Sequence, residues 1–403
     1  MGQMMDGKKD NLLILCYRAP YPVRSGSEIR MYQFIEILSE QYAVTVLYLE
    51  EQEPDTDTDM TPFTGRCAQV EKFRVSRGRR YAQSLVSYLF RGEPMQTGYF
   101  YSGEMQHWID AHITEYQKVL CMHIRTIRYM FPYLDVPELE IYLDGIDAIT
   151  LNYSNSFRTS RGLRKLLYGM ECRRMANYEK MAYSRVKKSV LISERDRDYI
   201  TQTLGAECNP AVIYNYAIDY GYRRKTEKIP DTIVFMGKMN YAPNVDAMLY
   251  FTEHIYADVR QKYPGLQLWI IGGNAAPEIR RLAEKEGVKL WGFVENPSEL
   301  LQQATLVIAP MISGSGLQNK IVQAMQLGCT VITTPVGADG LTCLTGEELV
   351  VAENDTQMRE KLIHYLSSEA YEERKRMGEM ARHYIETYYS FQTIRNKILD
   401  FFK

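Results

Sequence analysis

Apolar residues fall in short runs separated by stretches of helical spacing, and the alternation continues along nearly the whole chain. The run over 11–17, Asn-Leu-Leu-Ile-Leu-Cys-Tyr, predicts a strand buried on both faces. A loop rich in proline and glycine comes next. Met31, Phe34, Ile35 and Leu38 then share one face of a helix expected over 29–39, and 43–49 predicts the second strand. Such strand–helix–strand crossovers build parallel sheets covered by helices. The acidic 50–59 stretch has no periodicity and reads as an exposed loop. Basic residues over 72–80 lead into an apolar helical pattern through 89.

Strands are expected over 118–123, 140–144 and 189–193, with a long helix over 161–186, and 209–213 closes the first half. The polar, turn-rich 215–230 stretch reads as an interdomain linker. Beyond it, strands expected over 231–237, 266–273, 288–291, 304–309, 330–334 and 350–351 alternate with helices, and terminal helices run over about 356–402. The pattern therefore divides into a domain over 1–214, the linker, and a domain over 231–385. The terminal helix over 386–403 is a candidate to cross back to the first domain. The fold class is α/β, with two doubly wound Rossmann-like domains facing a cleft.

At 403 residues the chain exceeds one ordinary core, which agrees with two domains. A hydrophobic share of 45% and a charged share of 24% are those of a soluble globular protein. A formal charge of −2 excludes whole-surface attraction to nucleic acid, so no nucleic-acid partner is expected. The seven cysteines are scattered, odd in number and without C-x-x-C spacing. Neither a disulfide framework nor a zinc site is indicated, and a reducing cytoplasm is the expected location. The first ten residues are polar, and 12–16 is too short for a signal-peptide core or a membrane span. Some of the 31 tyrosines must lie on surfaces or in clefts, because each buried hydroxyl needs a partner.

Candidate chemistry gathers where strands end. After the apolar run over 304–309 comes a loop with Gly314 and Gly316, then an amphipathic helix expected over 317–327 and stopped by Gly328. Glycines let backbone approach a ligand, and the helix after them aims unpaired N–H groups and a positive dipole end at it. That arrangement suits a phosphate, although a packing turn accounts for such a loop equally well. Asn319 and Gln323 share the helical face near the loop. Lys238, after Gly237 at another strand end, offers charge to a diphosphate or is a surface lysine. Phe293 either stacks on a base, with Val294 backbone reading its edge, or is a core aromatic. Gly26 lets the chain pass close to a donor or acceptor, or marks a turn. His123, at the end of its strand, is a donor to a sugar or phosphate, or structural. The helix at 161–188 is strongly basic, with leucines and methionines interleaved. It reads as a solvated face over an apolar stripe, or as a patch lying on anionic lipid.

Taken together, Gly237-Lys238, Gly272-Gly273, Gly292-Phe293-Val294-Glu295-Asn296, Gly314-Ser-Gly316, Ala324-Met325, Gly328 and Thr333-Thr-Pro-Val-Gly337 resemble the donor half of GT-B glycosyltransferases of family 4. Met239-Asn-Tyr-Ala-Pro-Asn-Val-Asp-Ala247, Arg18-Ala-Pro-Tyr-Pro22 and Asp144-Gly-Ile-Asp147 are similar to a subgroup, the sugar transferases associated with bacterial exopolysaccharide systems. The resemblance spans nearly the whole chain. It implies retaining transfer of a sugar from a nucleotide-sugar, which is a substrate and not a cofactor, without a bound metal. It also implies a saccharide or lipid-linked saccharide acceptor and a place at the inner face of the plasma membrane. Carried over, His123 and Lys238 are the catalytic positions. Gly26, Gly237, Phe293, Val294, Ser315, Gly316, Leu317, Gln318, Asn319, Lys320 and Gln323 are the donor-binding ones.

One departure stands out. Ser315 and Gln323 occupy places where the family usually has glutamates eight residues apart. Gln323 keeps a carbonyl acceptor but loses the charge, and charge-assisted bonds are roughly twice as strong as neutral ones. Two other readings remain open: a catalytically weak protein that scaffolds a polysaccharide system, and another GT-B enzyme such as a nucleotide-sugar epimerase. A nicotinamide dehydrogenase is disfavoured, since no Gly-x-Gly-x-x-Gly follows the first strand.

Overall fold

The computed structural model describes residues 9–23, 26–50, 59–217, 226–314, 317–343 and 345–403. The acidic loop expected at 50–59 lies largely outside them, as do half of the expected linker, Ser315 and Gly316. The chain forms two units: residues up to Asn215 together with Ile394–Lys403, and Tyr216–Thr393.

The first unit is built on a seven-stranded sheet of order β3-β2-β1-β4-β5-β6-β7. Its strands are β1 Asp10–Cys16, β2 Tyr42–Glu50, β3 Gln69–Arg74, β4 Lys118–Met122, β5 Glu140–Ile146, β6 Lys188–Leu191 and β7 Ala211–Val212. Every pairing is parallel, as continuous apolar runs such as Leu12–Cys16, wholly buried, require. Strand order reverses between β1 and β4, so a crevice forms at their carboxyl ends.

A buried ion pair ties this unit together. Arg30, on the helix Gly26–Leu38, donates through Nε to Asp144 Oδ2 at 2.7 Å, both side chains being fully buried. Arg30 also donates to the carbonyl of Ile213 and, at 3.3 Å, to Asn215 Oδ1, which fixes the end of the last strand. At the opposite edge of the sheet the chain end is pinned. Phe402 stacks on Tyr142, and Lys118 and Lys188, the first residues of β4 and β6, donate to the carbonyls of Phe402 and Phe401. Residues of the terminal helix Phe391–Phe401 from Ile394 onward thus belong to the first unit.

The second unit carries a six-stranded sheet of order β10-β9-β8-β11-β12-β13. Here β8 is Ile229–Met236, β9 Gln267–Ile271, β10 Val288–Gly292, β11 Ala304–Ala309, β12 Val331–Thr333 and β13 Val350–Val351. All are parallel, and the reversal falls between β8 and β11. β8 begins inside the stretch that the sequence marks as linker.

Candidate functional site

The carboxyl ends of β10, β9, β8 and β11 lie side by side in that order, so the residues just beyond them form one row. Phe293 comes after β10, Gly272 and Gly273 after β9, Gly237 and Lys238 after β8, and the loop through Gly314 after β11. Phe293 is 81% exposed, which removes the core-aromatic reading and leaves a ring standing free at the sheet edge. Gly272 adopts φ 155°, and a Cβ there would sit 1.8 Å from the Gly237 carbonyl oxygen, so only glycine lets these two strand ends meet. Lys238 is exposed, and its backbone carbonyl accepts from Asn244 Nδ2 at 3.0 Å.

Asn244 joins this strand end to the glycine loop. It lies in the first turn of the helix Ala242–His254, where Pro243 sits as the sequence suggests. Its Oδ1 accepts from Lys320 Nζ, in the first turn of the helix Asn319–Gln326. Gly314 lies close to both Pro243 and Gln318, with φ 119°. Lys320 is therefore held by protein groups: Asn244, Met311 Sδ at 3.4 Å, and the Phe235 ring at 4.7 Å. Burial pulls its ammonium down to about 7. The family resemblance makes Lys320 a donor-binding residue; in the structure it also ties two loops together through Asn244.

The helix Asn319–Gln326 starts at Gln318 with no side-chain cap and no acidic residue in its first turn. Leu317 and Asn319 are half-buried at that end. One turn in, Gln323 has a buried Nε2 with no hydrogen-bond partner among the described residues. An orphaned buried donor of this kind costs about 1–3 kcal/mol and calls for an explanation. Val294 is half-buried beside Phe293. A cavity of about 730 Å³ opens beyond β11, lined by Met311, Ile312, Thr334, Pro335, Asn354 and Arg359 among others. Sequence reasoning assigns it no role, although Thr333-Thr-Pro-Val-Gly337 is part of the family resemblance.

In the first unit, Gly26 is exposed at the start of its helix. His123 follows β4 directly, in the left-handed region at φ 80°, its N–H bonded to the Asp144 carbonyl at 2.6 Å. Its Nδ1 accepts from the Arg125 N–H at 3.2 Å, which assigns the proton to Nε2. Burial, then Arg125 and Arg18, holds the imidazole well below its ordinary range, so it is a neutral donor at pH 7. Both guanidiniums lie against Tyr17, at 4.8 Å for Arg18 and 4.7 Å for Arg125. Asp147, after β5, stands in a motif of the family resemblance without a role of its own there; burial and Asp196 push its carboxyl up to about 7. Asp196 is remote in sequence, so no local signal announces that shift.

Residues 230–368 match the family model described as Glycosyl transferases group 1. The matched segment lies within the second unit, which is thus similar to the group 1 glycosyltransferases over those residues. Over the whole chain, sucrose-phosphate synthase from Thermosynechococcus elongatus superposes with a TM-score of 0.70 at 12% identity, covering 98% of each chain. Anabaena HepE in complex with UDP and glucose superposes at 0.64 and 13% identity, covering 96% of this chain and 98% of that one. The fold is that of the GT-B glycosyltransferases. A curated relative, an uncharacterized 44.6 kDa protein in the cps region of Klebsiella pneumoniae, is 24% identical over 142 residues. That match covers 33% of this chain and 36% of the relative.

Proposed function

We propose that the chain is a retaining, metal-independent glycosyltransferase that moves a sugar from a nucleotide-sugar to a saccharide or lipid-linked saccharide in surface or exopolysaccharide synthesis. The observation that carries this reading is the row along the second unit's sheet edge. With strands about 4.8 Å apart, the three spacings from β10 to β11 span about 14 Å. A nucleoside diphosphate fits that row with its base on Phe293, its diphosphate by Lys238, and its end at the uncapped helix start. The glycines clear the path for it, and the orphaned Gln323 amide gains a partner in a ribose hydroxyl. HepE, which shares the fold, was captured with UDP and glucose. Retention and metal independence enter from the sequence resemblance to family 4.

In this reading the bond between the anomeric carbon and the diphosphate breaks, one to the acceptor oxygen forms, and the acceptor hydroxyl's proton passes to the departing diphosphate. Charge grows on the leaving diphosphate, where Lys238 and the helix N–H groups lower the barrier. His123, neutral with Nε2–H, is a group suited to donating to a sugar hydroxyl. Transfer assays with purified protein and a panel of nucleotide-sugars test the proposal. Turnover that falls with Lys238→Ala supports it. No turnover with any donor, and none with Gln323→Glu, would sink it in favour of the scaffold reading, which the missing glutamates favour.

A further inference from the structure

The helix Gly162–Arg185 is basic along its length, but its two halves differ in what the bases meet. In the second half they are answered. Lys180 pairs with Glu207 and Arg185 with Asp135, and just past the helix Lys187 pairs with Glu140 and Lys188 donates to the Phe401 carbonyl. In the first half Arg161, Arg164, Lys165 and Arg173 are exposed and face no carboxylate among the described residues. The helix's two acids turn inward instead: Glu171 accepts from the Met95 N–H, and Glu179 from the N–H groups of Ile149 and Thr150.

The same half exposes its apolar residues. Leu163 is 86% exposed, and Leu166, Leu167 and Met170 are also open to solvent, so the expected apolar stripe is not covered there. Leu163, Leu167, Met170 and Arg174 recur at helical spacing on one face. Against that face lies the segment that continues the helix Arg77–Val86 as a wide turn, Ser87–Arg91. The Tyr88 hydroxyl donates to Met170 Sδ at 3.5 Å, and Arg174 covers the Tyr88 ring at 3.7 Å. This second segment repeats the composition. It exposes Tyr81, Leu85, Val86, Leu89 and Phe90, the last at 81%, with Arg77, Arg79 and Arg91 exposed and no acid in the run.

Both helices also place bases, and no acid, in their first turns. A helix start is the positive end of its dipole, so these bases are unfavourably placed in water. Leucines and a phenylalanine in solvent add a second cost. An anionic, amphiphilic surface relieves both at once, and a soluble acidic protein without an apolar face relieves only one. A groove of about 710 Å³, with Phe157, Leu166, Met170 and Arg173 among its walls, continues this face. No helix among the described residues is long and apolar enough to cross a membrane, so any contact with a bilayer is made from one side.

We propose that Arg77–Arg91 and the first half of Gly162–Arg185 together form a docking face for an anionic lipid bilayer. Phe90 and Leu163 enter the boundary of the acyl region, and the arginines lie among the headgroups. The proposal stands on this face alone and does not depend on the sugar-transfer reading.

The full chain is mixed with vesicles of phosphatidylcholine, with and without phosphatidylglycerol, and the bound fraction is read by co-sedimentation. Binding is expected only with phosphatidylglycerol and weakens as salt rises. Arg164→Ala lowers partitioning about fivefold, the effect of about one surface base. Phe90→Ser and Leu163→Ser lower it without changing the melting temperature, since both side chains are already in solvent. Lys180→Ala, at the answered end, leaves it unchanged. Absence of binding, an equal loss with Lys180→Ala, or a dimer in sedimentation velocity that Phe90→Ser dissociates would each overturn the proposal, the last in favour of a second copy.

Discussion

Replacing Lys320 with methionine tests the tie at the carboxyl edge of the second unit's sheet. Methionine keeps most of the length of the side chain and removes the amine. In the folded protein burial lowers the amine from an ordinary 10.5 to about 7. The sign comes from linkage: a depressed lysine contributes stability that is whole above pH 10.5 and drains away as pH falls through 7. The drop from 10.5 to about 7 corresponds to several kcal/mol, at about 1.36 kcal/mol per pH unit. Wild type should therefore lose stability from pH 10 toward 7, while Lys320→Met stays flatter over the same range. Trp269 and Trp291 both belong to the second unit, so urea unfolding in a Trp108→Phe background isolates that unit's transition by fluorescence. The reasoning predicts that the variant is the more stable protein at pH 6.5 and loses that advantage by pH 10. Parallel pH profiles for the two proteins would refute it. A second readout addresses function. A diphosphate at the helix start raises the lysine's proton affinity, so UDP binding at pH 8 should take up protons in wild type and not in the variant. Calorimetry in buffers of different ionisation heat measures that uptake.

Gly272→Ala drives a Cβ to 1.8 Å from the Gly237 oxygen, in a backbone region that alanine avoids. It should cost the second unit about 3 kcal/mol or more and abolish any thermal shift with UDP, both readable in one melting series. Gln323→Glu removes the orphaned Nε2 and supplies a charged acceptor, so UDP should bind about fivefold tighter by titration calorimetry. Unchanged affinity would show that position 323 does not meet the donor.

Strands buried on both faces were legible because their apolar runs are continuous: Leu12–Cys16 and Ala304–Ala309 fall where the sequence puts them. β3 was not, because it lies at the sheet edge and its Gln69-Val-Glu-Lys-Phe-Arg74 run is largely open to water. The helix Ile149–Thr159 also escaped, since its start is stabilised from outside: Glu179 and Asp196 accept the N–H groups of Ala148, Ile149 and Thr150. That the glycines and the lysine follow strand ends was legible, because each comes directly after an apolar run, and the sheet order sets those ends side by side. The contact that Lys320 makes with Asn244 was not legible, for the opposite reason. It depends on the adjacency of β8 and β11, which alone brings Asn244 within reach. The basic helix shows the same limit, since charge counting along it cannot separate answered bases from unanswered ones.

The two units share one strand order up to their sixth strand and differ in the residues placed just beyond the strand ends. In the second unit those positions carry glycines, a lysine and an uncapped helix, which suit a fixed anion. In the first they carry groups that move or hold protons, the neutral His123 and Asp147, whose carboxyl lies at about 7. Asp147 takes a raised value because burial and Asp196 oppose its ionisation while Arg30 favours it. Its native proton contributes stability below the unfolded value of 3.8, and that contribution is lost as pH rises through 7. Asp147→Asn should therefore flatten the stability profile between pH 4 and 7. If the ionised carboxylate serves the reaction, wild-type kcat/KM rises through pH 7, and Asp147→Asn removes that inflection while leaving the thermal shift with UDP intact. An inflection that persists in Asp147→Asn assigns the titration to another group and leaves Asp147 a structural acid. A UDP shift lost together with the inflection would contradict the division of labour between the two sheet edges.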